Sequence, residues 1–324
     1  MMKRMTVFLL ALLYALAGVT GQGAREVLPA DAPAVSLAVL QGPTGFAMAR
    51  VLDTGVEGLD VHSEVLPSPQ EAVARMASGE LDFVLLPANL AAVVYNRGLP
   101  YHPAAVTGLG MNFLMSRDPA VSSWEDLRGR QVHVPGRGAT PDYMISYILQ
   151  QKGLSGSVSL DYSVTRAAQL AQLIIAGSLT FAVLPEPFAT AAQIRGAGDI
   201  IRSLDFQEAW KEIQGTEDIY PMTILMVRSA LHDRQPKTAA AMLEAVEDSI
   251  TWVLEHPSEA SVIIEQFGIL SSSMAEPAIP NSNLVYQPIE QAQHALRDFF
   301  QVLMGFNPAS IGGSLPDEGF YRPR

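Results

Sequence analysis

Apolar residues along this chain fall in short blocks separated by Gly, Pro and Ser turns and by amphipathic stretches, a pattern of buried strands alternating with helices. Residues 35–40 predict a strand, Gly42-Pro43-Thr44-Gly45 a turn, and 46–52 an apolar helix. Residues 59–65 roughly alternate as a second strand; Ser68-Pro69-Gln70-Glu71 opens a helix with Ser68 as cap, and 81–86 form a third strand. After extended stretches at 104–106 and 111–116 the pattern restarts. Ser123-Trp124-Glu125-Asp126-Leu127-Arg128-Gly129 predicts a short capped helix and 131–134 a strand. Gly136-Arg137-Gly138-Ala139-Thr140-Pro141 then predicts a glycine turn with Thr140 as cap of the next helix. Residues 159–164 and 179–184 complete the visible strands of this half, 219–227 form an extended run that crosses back, and the chain from 237 onward reads as mainly helical.

One segment occurs twice. Leu81-Asp82-Phe83-Val84-Leu85-Leu86-Pro87 returns 98 positions later as Leu179-Thr180-Phe181-Ala182-Val183-Leu184-Pro185, with Gly79 matched by Gly177. Each copy reads as a helix ending in glycine, a buried strand and a proline-marked turn into another helix, one step of a parallel sheet. The fold class expected is therefore α/β, with two similar lobes joined by a hinge. The first lobe is discontinuous (33–112 plus 226–324) and the second continuous (113–225). Ligands of open α/β sheets bind outside the carboxyl ends of the strands, so the turns after the repeated strands, at Ala88, Asn89, Glu186 and Pro187, face the expected interlobe cleft.

Composition narrows the function. At 324 residues and 48% hydrophobic, the chain can bury two cores. Lys3 and Arg4 precede an apolar run and then small residues, so 1–24 read as a signal peptide, too short to span a bilayer comfortably. The chain has no cysteine, which excludes disulfides, thiolate metal sites, a cysteine nucleophile and a lipid anchor on cysteine. Export without an anchor points to the periplasm, with secretion as the second choice. A net charge of −12 disfavours nucleic acid and anionic lipid, leaving a small-molecule ligand.

The 123–129 segment before Val132-His133-Val134-Pro135-Gly136-Arg137-Gly138, then Ala176-Gly177 and Pro185-Glu186-Pro187, and the carboxyl-terminal run 313–321, resemble one transport family. The chain looks like the solute-binding proteins of ABC importers for nitrate, taurine, alkanesulfonates and the pyrimidine precursor of thiamine. The resemblance implies a type II periplasmic binding fold, two lobes closing on one small molecule, and docking of the closed monomer on an ABC permease in the inner membrane.

Candidate ligand contacts follow from the turns. The backbone of Gly138, Ala139 and Thr140 at a helix start, with Arg137, suits an anion or carbonyl; the competing reading is an ordinary turn with Arg137 in water. Pro43, Thr44 and Gly45 hold the matching place in the first lobe. Glu186, between two prolines, can accept the amino group of a pyrimidine or face water at a helix start, and Asn89 is a neutral partner or its own helix cap. Phe46, Tyr143 and Tyr220 are candidate stacking platforms, although such aromatics are more often core filler. The 13 methionines read as core packing, and the six histidines lack metal-ligand spacing, so no metal or cofactor is expected. Without a serine elbow or a phosphate loop the chain reads as a receptor rather than an enzyme. The alternatives are an enzyme of thiamine-pyrimidine or menaquinone biosynthesis on the same fold, and a sensor serving a membrane kinase.

Overall fold

A computed structural model describes residues 31–322; the expected signal segment at 1–24 lies outside the described residues. The elements run β1 (Ala34–Leu40), α1 (Pro43–Ala47), α2 (Ala49–Thr54), β2 (Asp60–Leu66), α3 (Pro69–Ala77), β3 (Phe83–Pro87), α4 (Ala88–Asn96), β4 (Tyr101–Leu109) and β5 (Asn112–Ser116). There follow β6 (Gln131–His133), α5 (Thr140–Gln151), β7 (Ser159–Asp161), α6 (Ala167–Ile175), β8 (Phe181–Pro185), α7 (Phe188–Arg195), β9 (Ile201–Asp205) and α8 (Phe206–Gln214). The chain ends with β10 (Pro221–Arg228), α9 (Ser229–Arg234), α10 (Pro236–Glu255), α11 (Pro257–Gln266), α12 (Ser272–Ala278), β11 (Leu284–Pro288) and α13 (Gln293–Phe306).

Two sheets result, in the orders β2-β1-β3-β10-β4-β11 and β7-β6-β8-β5-β9. The repeated strands β3 and β8 are equivalent: each lies beside a parallel strand on one side and an antiparallel strand on the other. In both sheets that antiparallel neighbour has arrived from the other half of the chain, β10 for β3 and β5 for β8. The chain therefore crosses between sheets twice, between β4 and β5 and ahead of β10. A boundary at 225/226 would cut β10, which lies wholly in the first sheet.

Both sheets are buried on both faces, which is why their central strands read as unbroken apolar runs. In β3, Phe83 and Leu85 enter one core cluster while Val84 and Leu86 enter another, as period-two alternation requires. The expected helix at 46–52 is broken at Met48 into α1 and α2. Ser68 caps α3 as expected, accepting from the Glu71 N–H at 3.2 Å. Two strands missing from the sequence pattern, β9 and β11, add an edge to each sheet.

The crossings are fastened by Tyr220. Its hydroxyl donates to Gln207 Oε1 at 2.9 Å and accepts from Asn112 Nδ2 at 3.0 Å, and Asn112 N–H donates to the same Gln207 oxygen at 3.0 Å. A Cβ on Gly110 would stand 2.5 Å from the tyrosine ring, so glycine is what lets the strands meet here. Behind the crossings Trp210, Tyr220 and Phe299 of α13 form an aromatic group with ring centroids 5.5–6.4 Å apart. Among the described residues no helix is long and apolar enough to cross a membrane.

Candidate functional site

A cavity of about 440 Å³ opens at the carboxyl ends of β1 and β8, within the range of small-molecule sites. Residues 41–44, Ile269 and Leu270 wall it from the first sheet's side; Ala168 and residues 185–188 wall it from the second; Met111, between β4 and β5, and Met222 and Thr223 of β10 complete the lining. Most of this surface is apolar, with Gln41, exposed, as the accessible amide. Of the expected contacts, Pro43, Thr44 and Glu186 line this cavity. The Thr44 hydroxyl is already engaged, donating to the Leu40 carbonyl at 2.8 Å and accepting the Leu40 N–H at 3.1 Å. Gly45 lies behind the wall, where a Cβ would come within 2.8 Å of Ile269; the absence of a side chain is what seats Ile269.

Glu186 has none of its side chain exposed. Its carboxylate meets Arg202 of β9 at 2.5 Å and accepts the Thr190 N–H at 3.2 Å. Burial raises its pKa, and the Arg202 charge pulls the other way without cancelling that rise. Arg202 has further partners: it donates to Thr190 Oγ1 at 2.6 Å and Gln193 Oε1 at 3.1 Å, and its guanidinium lies 4.4 Å over the Phe113 ring. The charge expected to face a ligand is instead neutralised inside the second lobe.

A second cavity, of about 590 Å³, runs along α3 and α4 and is lined by Asn89, Gly138 and Tyr143 among others. It is the larger of the two, but α3 and α4 supply most of its lining, and it shares no residue with the cavity at the ends of β1 and β8. We therefore place the principal site in the cleft at the strand ends. Three of the expected contacts thus belong to another cavity. Asn89 is one residue inside α4 rather than its cap and donates weakly to the Ser310 carbonyl at 3.4 Å.

The glycine turn after β6 does not present the anion nest that its sequence suggests. Gly138 N–H donates to Asp142 Oδ2 at 2.7 Å and Ala139 N–H to the Gly136 carbonyl at 3.1 Å, so these donors are spent within the turn. Ala139, not Thr140, is the N-cap; Thr140 is the first residue of α5 and its hydroxyl caps nothing. Arg137 is exposed and lies 4.1 Å over the Tyr162 ring, while Tyr162 donates to Asp142 at 2.5 Å. Phe46 and Tyr220 are fully buried, leaving no ring face for a ligand: Phe46 fills the first sheet's core and Tyr220 pins the crossings. Tyr143 is buried too, with its hydroxyl accepting from Asn307 Nδ2 at 3.1 Å.

Sequence reasoning missed Met111, Met222, Phe188 and Ile269 as cleft residues. The methionines flank the crossings, and their place at the junction of two extended runs was the available signal; reading all methionines as core obscured it.

Several comparisons bear on this geometry. A sequence model of the NMT1-like family matches residues 33–266. The structure resembles an ABC transporter protein from Parabacteroides distasonis, with 26% identity over 91% of this chain and 100% of that one and a TM-score of 0.79. It also resembles the periplasmic aliphatic sulphonate-binding protein SsuA from Escherichia coli, at 11% identity, 89% and 96% coverage and a TM-score of 0.68. For the periplasmic nitrate-binding protein NrtA from Synechocystis PCC 6803 the values are 14%, 87%, 84% and 0.57. No curated protein matches the sequence. These likenesses show a two-lobed periplasmic binding protein fold.

Proposed function

We propose that this chain, which belongs to the NMT1-like family, is the extracytoplasmic solute-binding component of an ABC importer, not an enzyme. It takes up a small, uncharged heterocycle, of which a pyrimidine-type thiamine precursor is an example, and hands it to an inner-membrane permease. The proposed lobes keep the expected division with the return to the first lobe set at the start of β10, giving 33–112 with 221–324, and 113–220. The observation that carries the ligand class is the cleft itself: an apolar slot at the strand ends whose carboxylate is cancelled by Arg202. Met111, Met222, Phe188 and Ile269 supply apolar surface for the faces of a ring. Gln41 at the mouth offers an amide that pairs with a donor and an acceptor on a ring edge at once. Burying such a ring favours the arrangement in which both walls touch it, so binding shifts the lobes toward closure.

Sulfonate or nitrate needs unpaired donors or cations. The arginine considered for that role, Arg137, is stacked on Tyr162 outside the cleft, and Arg202, which the sequence reading missed, is paired with Glu186. The test is calorimetric titration of the purified protein with 4-amino-2-methylpyrimidine, taurine and nitrate. The expected result is binding of the aminopyrimidine near micromolar affinity, about 8 kcal/mol, with taurine and nitrate at least about tenfold weaker. Tighter binding of either anion rejects the proposed ligand class.

A further inference from the structure

The larger cavity along α3 and α4 has a composition of its own. Its floor is apolar, from Val73, Leu90, Val93 and Leu99, while Arg97 stands at its lip, at the C-cap of α4. Arg97 is exposed and makes no ion pair or side-chain hydrogen bond among the described residues, on a chain whose net charge is −12. Arg75 on the neighbouring helix is, by contrast, held by Glu64 and Glu80. Ser310 lines the same cavity, and its hydroxyl is buried against the wall without a partner, so turning about χ1 toward an incoming acceptor breaks no existing bond. An apolar trough with one unpaired guanidinium at its edge matches a molecule with an apolar body and a single negative end.

We infer that this cavity is a second ligand site, separate from the strand-end cleft, and that it takes a monocarboxylate with an aliphatic or aromatic body, the carboxylate meeting Arg97. Its wall also includes Gly138 and Tyr143 from the second sheet's half, so an occupant touches both halves of the molecule.

The probe is octanoate, with octanol as the same body without charge, titrated into the wild type and four variants. Ala74→Trp and Ala77→Trp place an indole from an exposed position of α3 into the cavity, and either serves if the other fails to fold. Arg97→Gln removes the cation, and Ala168→Trp fills the strand-end cleft instead. The expected result is one-to-one octanoate binding to the wild type, lost in the α3 variants and kept in Ala168→Trp. Arg97→Gln weakens octanoate by about threefold to fivefold and leaves octanol unchanged, the size expected of a solvent-exposed charge pair. Added salt weakens octanoate binding only where Arg97 is present. The inference is overturned if octanoate does not bind at millimolar concentration, if binding survives both α3 variants, if Ala168→Trp abolishes it, or if Arg97→Gln affects octanol and octanoate equally.

Discussion

The turns that leave β3 and β8 occupy the same register of an internal repeat, Leu-Pro-Ala-Asn in one and Leu-Pro-Glu-Pro in the other, but they serve the molecule differently. After β3 the chain runs straight into α4, and Asn89, partly exposed, makes one long hydrogen bond to the Ser310 carbonyl at 3.4 Å. After β8 a carboxylate is turned fully into the protein and met by an arginine from the edge strand β9, on the far side of β5. The shared strand fixes where each turn stands. In register Glu186 stands opposite Ala88, and Asn89 opposite Pro187; that exchange, with a partner of opposite charge in reach, decides whether the turn is an ordinary helix start or a buried ion pair beside the strand-end cleft.

The first way to break this comparison is Arg202→Met. It removes the partner of a buried carboxylate and costs about 3 kcal/mol of stability near neutral pH, read from urea unfolding midpoints. The cost depends on pH with a definite sign. Burial holds the folded pKa of Glu186 above the ordinary glutamate value, and loss of Arg202 raises it further. The folded protein therefore binds the proton more tightly than the unfolded chain, so the variant's deficit is smallest below the ordinary value and grows as pH rises through the folded pKa. A deficit that shrinks with rising pH contradicts the ion-pair account. A change in the other turn, Asn89→Ala, one position past the register match of Glu186, costs about 0.5 kcal/mol, the smaller end of a partly exposed hydrogen bond, in the same assay. Equal costs for the two variants would dissolve the distinction between the turns.

The same contrast explains what was legible beforehand. β1, β3 and β8 announce themselves as apolar runs because they are buried on both faces, and the repeat showed the equivalence of β3 and β8 directly. β9, Ile201-Arg202-Ser203-Leu204-Asp205, and β11, Leu284-Val285-Tyr286-Gln287-Pro288, are edge strands with one neighbour each and partly exposed side chains, so neither carries a strong hydrophobic period. Missing β9 hid Arg202, and without Arg202 the carboxylate of Glu186 read as available to a ligand. Gly138 failed for a related reason: the N–H expected to greet an anion is taken by Asp142, four residues on in the same turn, a local hydrogen bond that glycine spacing does not reveal. Phe46 and Tyr220 were visible as aromatics, but only packing tells a stacking platform from a core ring or a pin between strands.

The central claim is that the strand-end cleft, and not the flank cavity, holds a small uncharged solute. Native mass spectrometry of the purified wild type and Ala168→Trp tests it most directly, with the bound compound released and its charge identified. The account predicts a neutral heterocycle bound one-to-one to the wild type and absent from the variant. Retention of the same compound by Ala168→Trp, or release of a sulfonate or nitrate from the wild type, would contradict it.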